Sequence, residues 1–149
     1  MECVIFIGLQ ASGKSAFYRE RFFRTHVRVN LDMLKTRHRE KCLIETCLQT
    51  QQPFVVDNTN PTQEDRRKYI EAARAAGFRV CGYYFQSEIE ECKRRNEGRP
   101  GNEQVPLAGI LGTYKRLELP SRGEGFDELH YVKLDDGNQF TTEEWTDEV

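Results

Sequence analysis

Residues 8 to 15 read GLQASGKS and fill every position of the pattern G-x-x-x-x-G-K-[ST]. Gly8 and Gly13 let a backbone wrap tightly, so that the N–H groups around Ala11, Ser12 and Gly13 and the start of a helix face phosphate oxygens. Lys14 is then placed to reach β- and γ-phosphates, and the Ser15 hydroxyl is a ligand for Mg²⁺. The bland alternative is a Gly/Ser turn arising by chance. Against it, the apolar run CVIFI precedes the octapeptide and a helical pattern follows, the context this chemistry requires. No guanine-reading N-K-x-D sequence is present, so ATP is the expected nucleotide.

A phosphate held in this way goes to water, stays where it is, or passes to an acceptor. Transfer to a hydroxyl benefits from a carboxylate that takes its proton, a contribution of about 10²–10⁴-fold. In a doubly wound sheet that group belongs at the carboxyl end of a strand. Asp32 comes just after the run VRVN, with only Leu31 between, and Lys35 comes one helical turn later, where it could hold an acceptor phosphate. The competing reading of Asp32 is a first-turn helix acid behind an Asn30 cap. Asp57, at the end of FVVDN, is either a strand-end turn former or the aspartate that holds Mg²⁺ with Ser15. In RRNEGR, residues 94–99, Arg95 and Arg99 suit phosphate oxygens, and an arginine on the γ-phosphate contributes about 10³–10⁵ in rate. Arg94 is explained by surface pairing with glutamates on its own helix.

Short apolar runs alternate with longer helical patterns, which predicts a parallel sheet with helices on both faces. The strands are expected at 3–7, 27–30, 54–58, 79–85 and 128–134, giving an α/β, three-layer αβα architecture with five parallel strands. Helices are expected from Gly13 to Phe23 and from Leu31 to about Gln49. A third has Asn60 as its cap, Pro61 at its first position and Gly77 at its end. Ser87 and Glu90 form a capping box for a fourth, and Leu107, Ile110, Leu111, Tyr114 and Leu117 are the core stripe of a fifth. The stretch EGRPGNEQVP, 97–106, lacks periodicity and reads, with the arginines before it, as a short mobile lid at about 95–106. The turn DDGN, 135–138, is a place for the adenine, while Trp145 and the acidic tail have no assigned role, an ordered helix or fraying being equally open.

The 149 residues suit one domain, here 1–149, and the net charge of −2 supplies no global field to recruit polyanions, so any nucleic-acid contact must be local. No apolar run suits a membrane span or a signal peptide, which leads to the expectation of a cytoplasmic protein without membrane contact. Five cysteines without C-x-x-C spacing read as buried thiols, and three scattered histidines lack metal spacing. Oligomeric state is not legible.

Taken in order, GLQASGKS, VNLDMLK, VVDNTNP with its R-R-bearing helix, KRRNEGR and a V-P-initiated helix resemble the kinase module of polynucleotide 5′-hydroxyl kinases, from about Val4 to Tyr131. The resemblance implies a P-loop NTPase fold, with ATP and Mg²⁺ as cofactors and Asp32 as general base. It implies that Arg95 and Arg99 contact ATP from the lid, and that Asp57, Asn58, Thr59 and Asn60 border the acceptor. Lys35 stands where the phage enzyme has an arginine. The expected activity is transfer of the γ-phosphate to the 5′-OH end of DNA or RNA, with Lys35 and Arg66 or Arg67 as a local basic site. The rivals are a small-molecule kinase of the same fold and a nucleotide-dependent switch module.

Overall fold

The computed structural model describes residues 1–146. Its centre is β1 (Glu2–Ile7), whose side chains alternate between two cores. Cys3, Ile5 and Ile7 enter one core, and Val4 and Phe6 enter the other. Strand β2 (Val27–Val29), β3 (Phe54–Val56), β4 (Arg79–Phe85) and β5 (Glu128–Leu134) complete a parallel set in the order β2-β3-β1-β4-β5. The sheet reverses direction of growth at β1, between β3 and β4, which opens a crevice at the carboxyl ends of β1 and β3.

Helix α1 (Lys14–Arg21) covers one face through Phe17 and Tyr18. The opposite face is covered by α3 (Arg37–Gln49) through Ile44 and Cys47, and by α4 (Gln63–Ala75) through Tyr69, Ile70 and Ala73. Helices α5 (Ile89–Glu97) and α6 (Leu107–Arg116) pack around Leu9, Cys92 and Ile110 beside the first loop. The three-layer α/β expectation therefore holds.

The structure adds a sixth strand, β6 (Phe140–Glu144), antiparallel to β5. DDGN is the turn between them, with Asp135 accepting from the N–H groups of Gly137 and Gln139, both at 2.9 Å. The edge position explains why FTTEE did not read as a strand. Four of its five side chains are exposed, and charge on an edge guards against further pairing. Trp145 follows it into the core and stacks on Tyr131 with ring centroids 5.9 Å apart. Neither of the two readings left open for this segment, an ordered helix or fraying, describes it up to residue 146, and residues 147–149 of the tail lie outside the described ones.

Several boundaries move for local reasons. The expected helix from Leu31 to Gln49 is broken into α2 (Leu31–Leu34) and α3. Lys35 takes φ 73° between them, and Thr36 starts the second helix by accepting from Arg39 N–H at 3.1 Å. Lys35 is therefore not on a continuous helix face with Asp32. Helix α4 is capped by Thr62, which accepts from Asp65 N–H at 3.1 Å, rather than by Asn60. Ser87 does not cap α5, whose preceding residue is Glu88. Helix α1 ends at Arg21, leaving Phe23 69% exposed. Of the stripe expected to be core on α6, Ile110 is buried and Leu117 packs against the core, whereas Leu107, Leu111 and Tyr114 face outward and Thr113 is buried as well. All five cysteines are free, and Cys42 is exposed where burial was expected.

Candidate active site

The loop between β1 and α1 is shaped by two glycines with different tasks. A Cβ on Gly8 would lie 3.1 Å from both Phe85 Cβ and Ser12 Oγ, so the bare backbone is needed for close approach. Gly13 has φ 99° and sits against Phe140, where a Cβ would come within 3.0 Å of the ring. The loop is tied down from outside. Gly8 N–H donates to Thr59 carbonyl at 3.0 Å, and Leu9 N–H donates to Ser87 Oγ at 3.0 Å. Ser87, misread as a helix cap, is thus a strut for this loop.

Lys14 lies over the carbonyls of its own loop. Its Nζ donates to Gly8 carbonyl at 3.0 Å, to Leu9 carbonyl, and to Ser12 Oγ at 3.3 Å. Burial pulls its pKa down to about 8, against a partial upward pull from the Asp57 carboxylate. Next to it, Ser15 Oγ donates to Asp57 Oδ2 at 3.1 Å. Asp57 is buried at the end of β3, and the same Oδ2 accepts from Arg28 Nε at 2.9 Å. Arg28 Nη2 in turn donates to Ser15 Oγ at 2.9 Å.

Ser15 and Asp57 fit a magnesium ion in donor chemistry, because a hydroxyl and a carboxylate are hard oxygen donors and already lie within hydrogen-bond reach of one another. Two protein oxygens are enough for Mg²⁺, which takes its remaining ligands from phosphate and water. Among the described residues no group of three or more His, Cys, Asp or Glu could hold a metal by itself.

Asp32 stands on α2, a helix of four residues fastened at its start by two asparagines. Asn30 Oδ1 accepts from Met33 N–H at 3.0 Å while its Nδ2 donates to Asp57 carbonyl at 2.6 Å. Asn58 Oδ1 accepts from Leu31 N–H at 3.0 Å while its Nδ2 donates to Glu40 at 3.1 Å. Glu40 is buried and also accepts from Tyr69 Oη at 2.9 Å. The Asn58 amide is therefore engaged on both sides within the fold.

Two cavities meet at Asp32. The first, about 300 Å³, is lined by Lys14, Ser15, Asp32, Asp57, Thr59 and Arg99 among others. The second, about 860 Å³, is lined by Arg19, Phe23, Arg28, Met33, Lys35 and residues of the 97–106 segment such as Asn102 and Gln104. Ser15, Asn30, Asp32, Arg99 and Val105 border both. Arg95 lies elsewhere, on a recess of about 210 Å³ shared with Gln86, Glu91 and Asp136, with Nη1 3.5 Å from Ala11 carbonyl. The segment 97–106 is tied at its neck by Asn96, which exchanges two hydrogen bonds with the Val105 backbone at 2.7 and 2.8 Å.

Two expected acceptor-side residues are placed otherwise. Asn60, with φ 45°, turns inward and donates to Phe6 carbonyl at 2.8 Å. Arg66 is fully buried and forms a two-pronged pair with Glu124 at 2.8 and 3.1 Å, so it cannot serve a surface site. Arg67, one residue on, is exposed on α4. Sequence reasoning passed over Arg28 and Asn96, and met Asn30 only as the helix cap in the competing reading of Asp32, a role it does fill.

A family model described as an AAA domain matches residues 3–120. The chain belongs to this family. A bifunctional polynucleotide phosphatase/kinase of Schizosaccharomyces pombe is 31% identical over 138 residues, which are 88% of this chain and 33% of that protein. A putative bifunctional polynucleotide phosphatase/kinase of Acanthamoeba polyphaga mimivirus is 30% identical over 140 residues, with the same coverage of 88% and 33%. The chain thus spans about a third of the length of the curated relatives it matches.

Among solved structures, Chaetomium thermophilum Kti12 in complex with ADP-AlF3 superposes with a TM-score of 0.68 at 15% identity, over 91% of this chain and 92% of that one. A gluconokinase from Sinorhizobium meliloti gives 0.64 at 15% identity, over 89% and 82%. Both share the fold of this chain. Among the described residues no helix is long and apolar enough to cross a membrane.

Proposed function

We propose that this protein is an ATP- and Mg²⁺-dependent kinase that moves the γ-phosphate onto a hydroxyl, and that the acceptor is the 5′-OH end of a nucleic acid. The observation that carries the reading is the position of Asp32 on the seam between two cavities. The smaller holds the phosphate-binding loop and suits the triphosphate. The larger suits the acceptor.

In this reading the backbone of the first loop and Lys14 hold the phosphate chain, and Arg99, which borders both cavities, meets the charge that spreads over the transferring group. Asp32 orients the acceptor hydroxyl and takes its proton as the new O–P bond forms and the bond to ADP breaks. Ser15 and Asp57 would hold the magnesium ion, which neutralises charge on the phosphate oxygens when bound. Thr59 supports the loop through its carbonyl and lines the donor cavity. Arg95 and the DDGN turn flank the outer side of the same loop, a place suited to the adenine end of ATP.

The acceptor cavity supports a nucleic acid over a neutral sugar. Arg19, Arg28, Lys35 and Arg99 line it against the acids Asp32 and Glu103, a local positive excess in a chain of net charge −2. Phe23 and Met33 at its rim are 69% and 53% exposed, and an exposed aromatic ring offers a stacking surface for a base. The names of the two curated relatives agree with this choice.

The test is transfer from γ-labelled ATP with 5′-OH DNA and RNA oligonucleotides offered beside nucleosides and sugars. Label on the oligonucleotides is expected, and label confined to the small molecules overturns the acceptor. In the same assay Asp32→Asn should lower turnover by about 10²-fold or more with ATP affinity retained. ATP binding without transfer to any acceptor would leave a nucleotide-dependent switch.

A further inference from the structure

The guanidinium of Arg28 occupies a position that two other groups need. Strand β2 alternates, so Val29 enters the core beneath α3 and α4 while Arg28 projects to the opposite face, toward α1. There it bridges Asp57 Oδ2 at 2.9 Å and Ser15 Oγ at 2.9 Å. These are the two oxygens that the proposed function assigns to magnesium. Ser15 Oγ also donates its own proton to Asp57, so its remaining capacity as an acceptor is what Arg28 and a metal would contest. A guanidinium and a divalent cation drawn to the same two oxygens also repel each other. The exit route is visible, because Arg28 already lines the acceptor cavity together with Asp32 and Lys35.

We propose that Arg28 and Mg²⁺ are alternative occupants of the Ser15–Asp57 oxygen pair, and that metal loading turns the Arg28 side chain into the acceptor cavity to hold a phosphate oxygen of the acceptor strand. This rests on the reading of the site as one for Mg²⁺ and ATP. It couples the two substrates. The acceptor-binding cation is released only where the donor has brought its metal, so a nucleic-acid end meets its full set of positive charges on the loaded enzyme.

The experiment uses binding and needs no turnover. Mg²⁺ is titrated into the protein with a fluorescent, non-hydrolysable ATP analogue, for the wild type, Arg28→Gln and Arg28→Lys. Removing the competitor should lower the half-saturating Mg²⁺ concentration in Arg28→Gln by about tenfold, the equilibrium worth of one hydrogen bond to a charged group. Arg28→Lys, a point charge that cannot bridge both oxygens, should fall between. Affinity for a labelled 5′-OH oligonucleotide is then read by anisotropy with the analogue present, with and without Mg²⁺. The wild type should bind more tightly with the metal, and Arg28→Gln should lose that gain. A merely structural arginine would move the metal midpoint upward, since its loss would loosen Asp57. A midpoint that is unchanged or raised in both folded variants overturns the inference while leaving the kinase reading intact. Failure of the wild type to bind the analogue with Mg²⁺ at all overturns both.

Discussion

At the scale of single residues, Lys14 is a cation held almost out of water, and that burial has a measurable signature. Its pKa lies near 8, well below the ordinary lysine value of about 10.4 that it has in the unfolded chain. Between these limits the unfolded chain binds more protons than the folded one, so the cost of burying a charged Lys14 is complete below pH 8 and is relieved as pH rises toward 10. For the ligand the sign is opposite. A triphosphate favours the charged amine, so nucleotide binding should take up a proton above pH 8 and weaken by up to about tenfold per pH unit. Calorimetry in buffers of different ionisation enthalpy reads the proton, and a flat affinity from pH 7 to 9.5 would count against Lys14 as the phosphate ligand. Legibility at this scale follows the reach of the side chain. The role expected of Lys14 was written in its neighbours because its partners are within six residues, whereas Arg28 acts on Ser15 and Asp57, 13 and 29 positions away, and nothing local announced it.

At the scale of elements, α2 is too short to be stable alone, since a four-residue helix has scarcely repaid its nucleation. Asp32 is aimed by the asparagines that pin this turn to the end of β3 and, through Glu40, to α3 and α4. Asn58→Ala removes an acceptor from Leu31 N–H and a donor from the buried Glu40 carboxylate. It should cost about 1–3 kcal/mol in urea denaturation. It should also lower kcat by about tenfold or more with nucleotide affinity kept, because the loss falls on orientation. Wild-type kcat in this variant would show that α2 is held by packing alone. The sequence announced a helix after VRVN but not its break, because Thr36 is an ordinary cap candidate and only the register of α3 against the sheet decides that it is used. The same competition moved the start of α4, where Asn60 and Thr62 are both capping residues and the demand of Phe6 carbonyl for a donor drew Asn60 away.

At the scale of the whole molecule, Arg66 links parts of the chain that no local pattern connects. From α4 it reaches Glu124 before β5, the Glu118 carbonyl after α6 and the Asn60 carbonyl beside β1, all without exposure to solvent. Breaking one partner of such a pair leaves a buried charge, so Arg66→Met should destabilise the fold by about 3–5 kcal/mol. Removing Glu124 together with it, as Arg66→Met with Glu124→Leu, should recover much of that loss in the same denaturation experiment. A single variant with wild-type stability would mean that the pair is solvated in solution.

The amino-acid sequence alone determined the phosphate-binding loop, the parallel α/β layout and the position of an acid after the second strand. Those features depend on consecutive residues or on a period within one element, and both are visible along a chain. Which cation sits on Asp57, where Lys35 points relative to Asp32, that Arg66 is interior and that FTTEE becomes an edge strand were decided only in three dimensions. Each is settled by hydrogen bonds and desolvation between residues distant in sequence, and a buried polar group takes whichever partner the packed elements bring within reach.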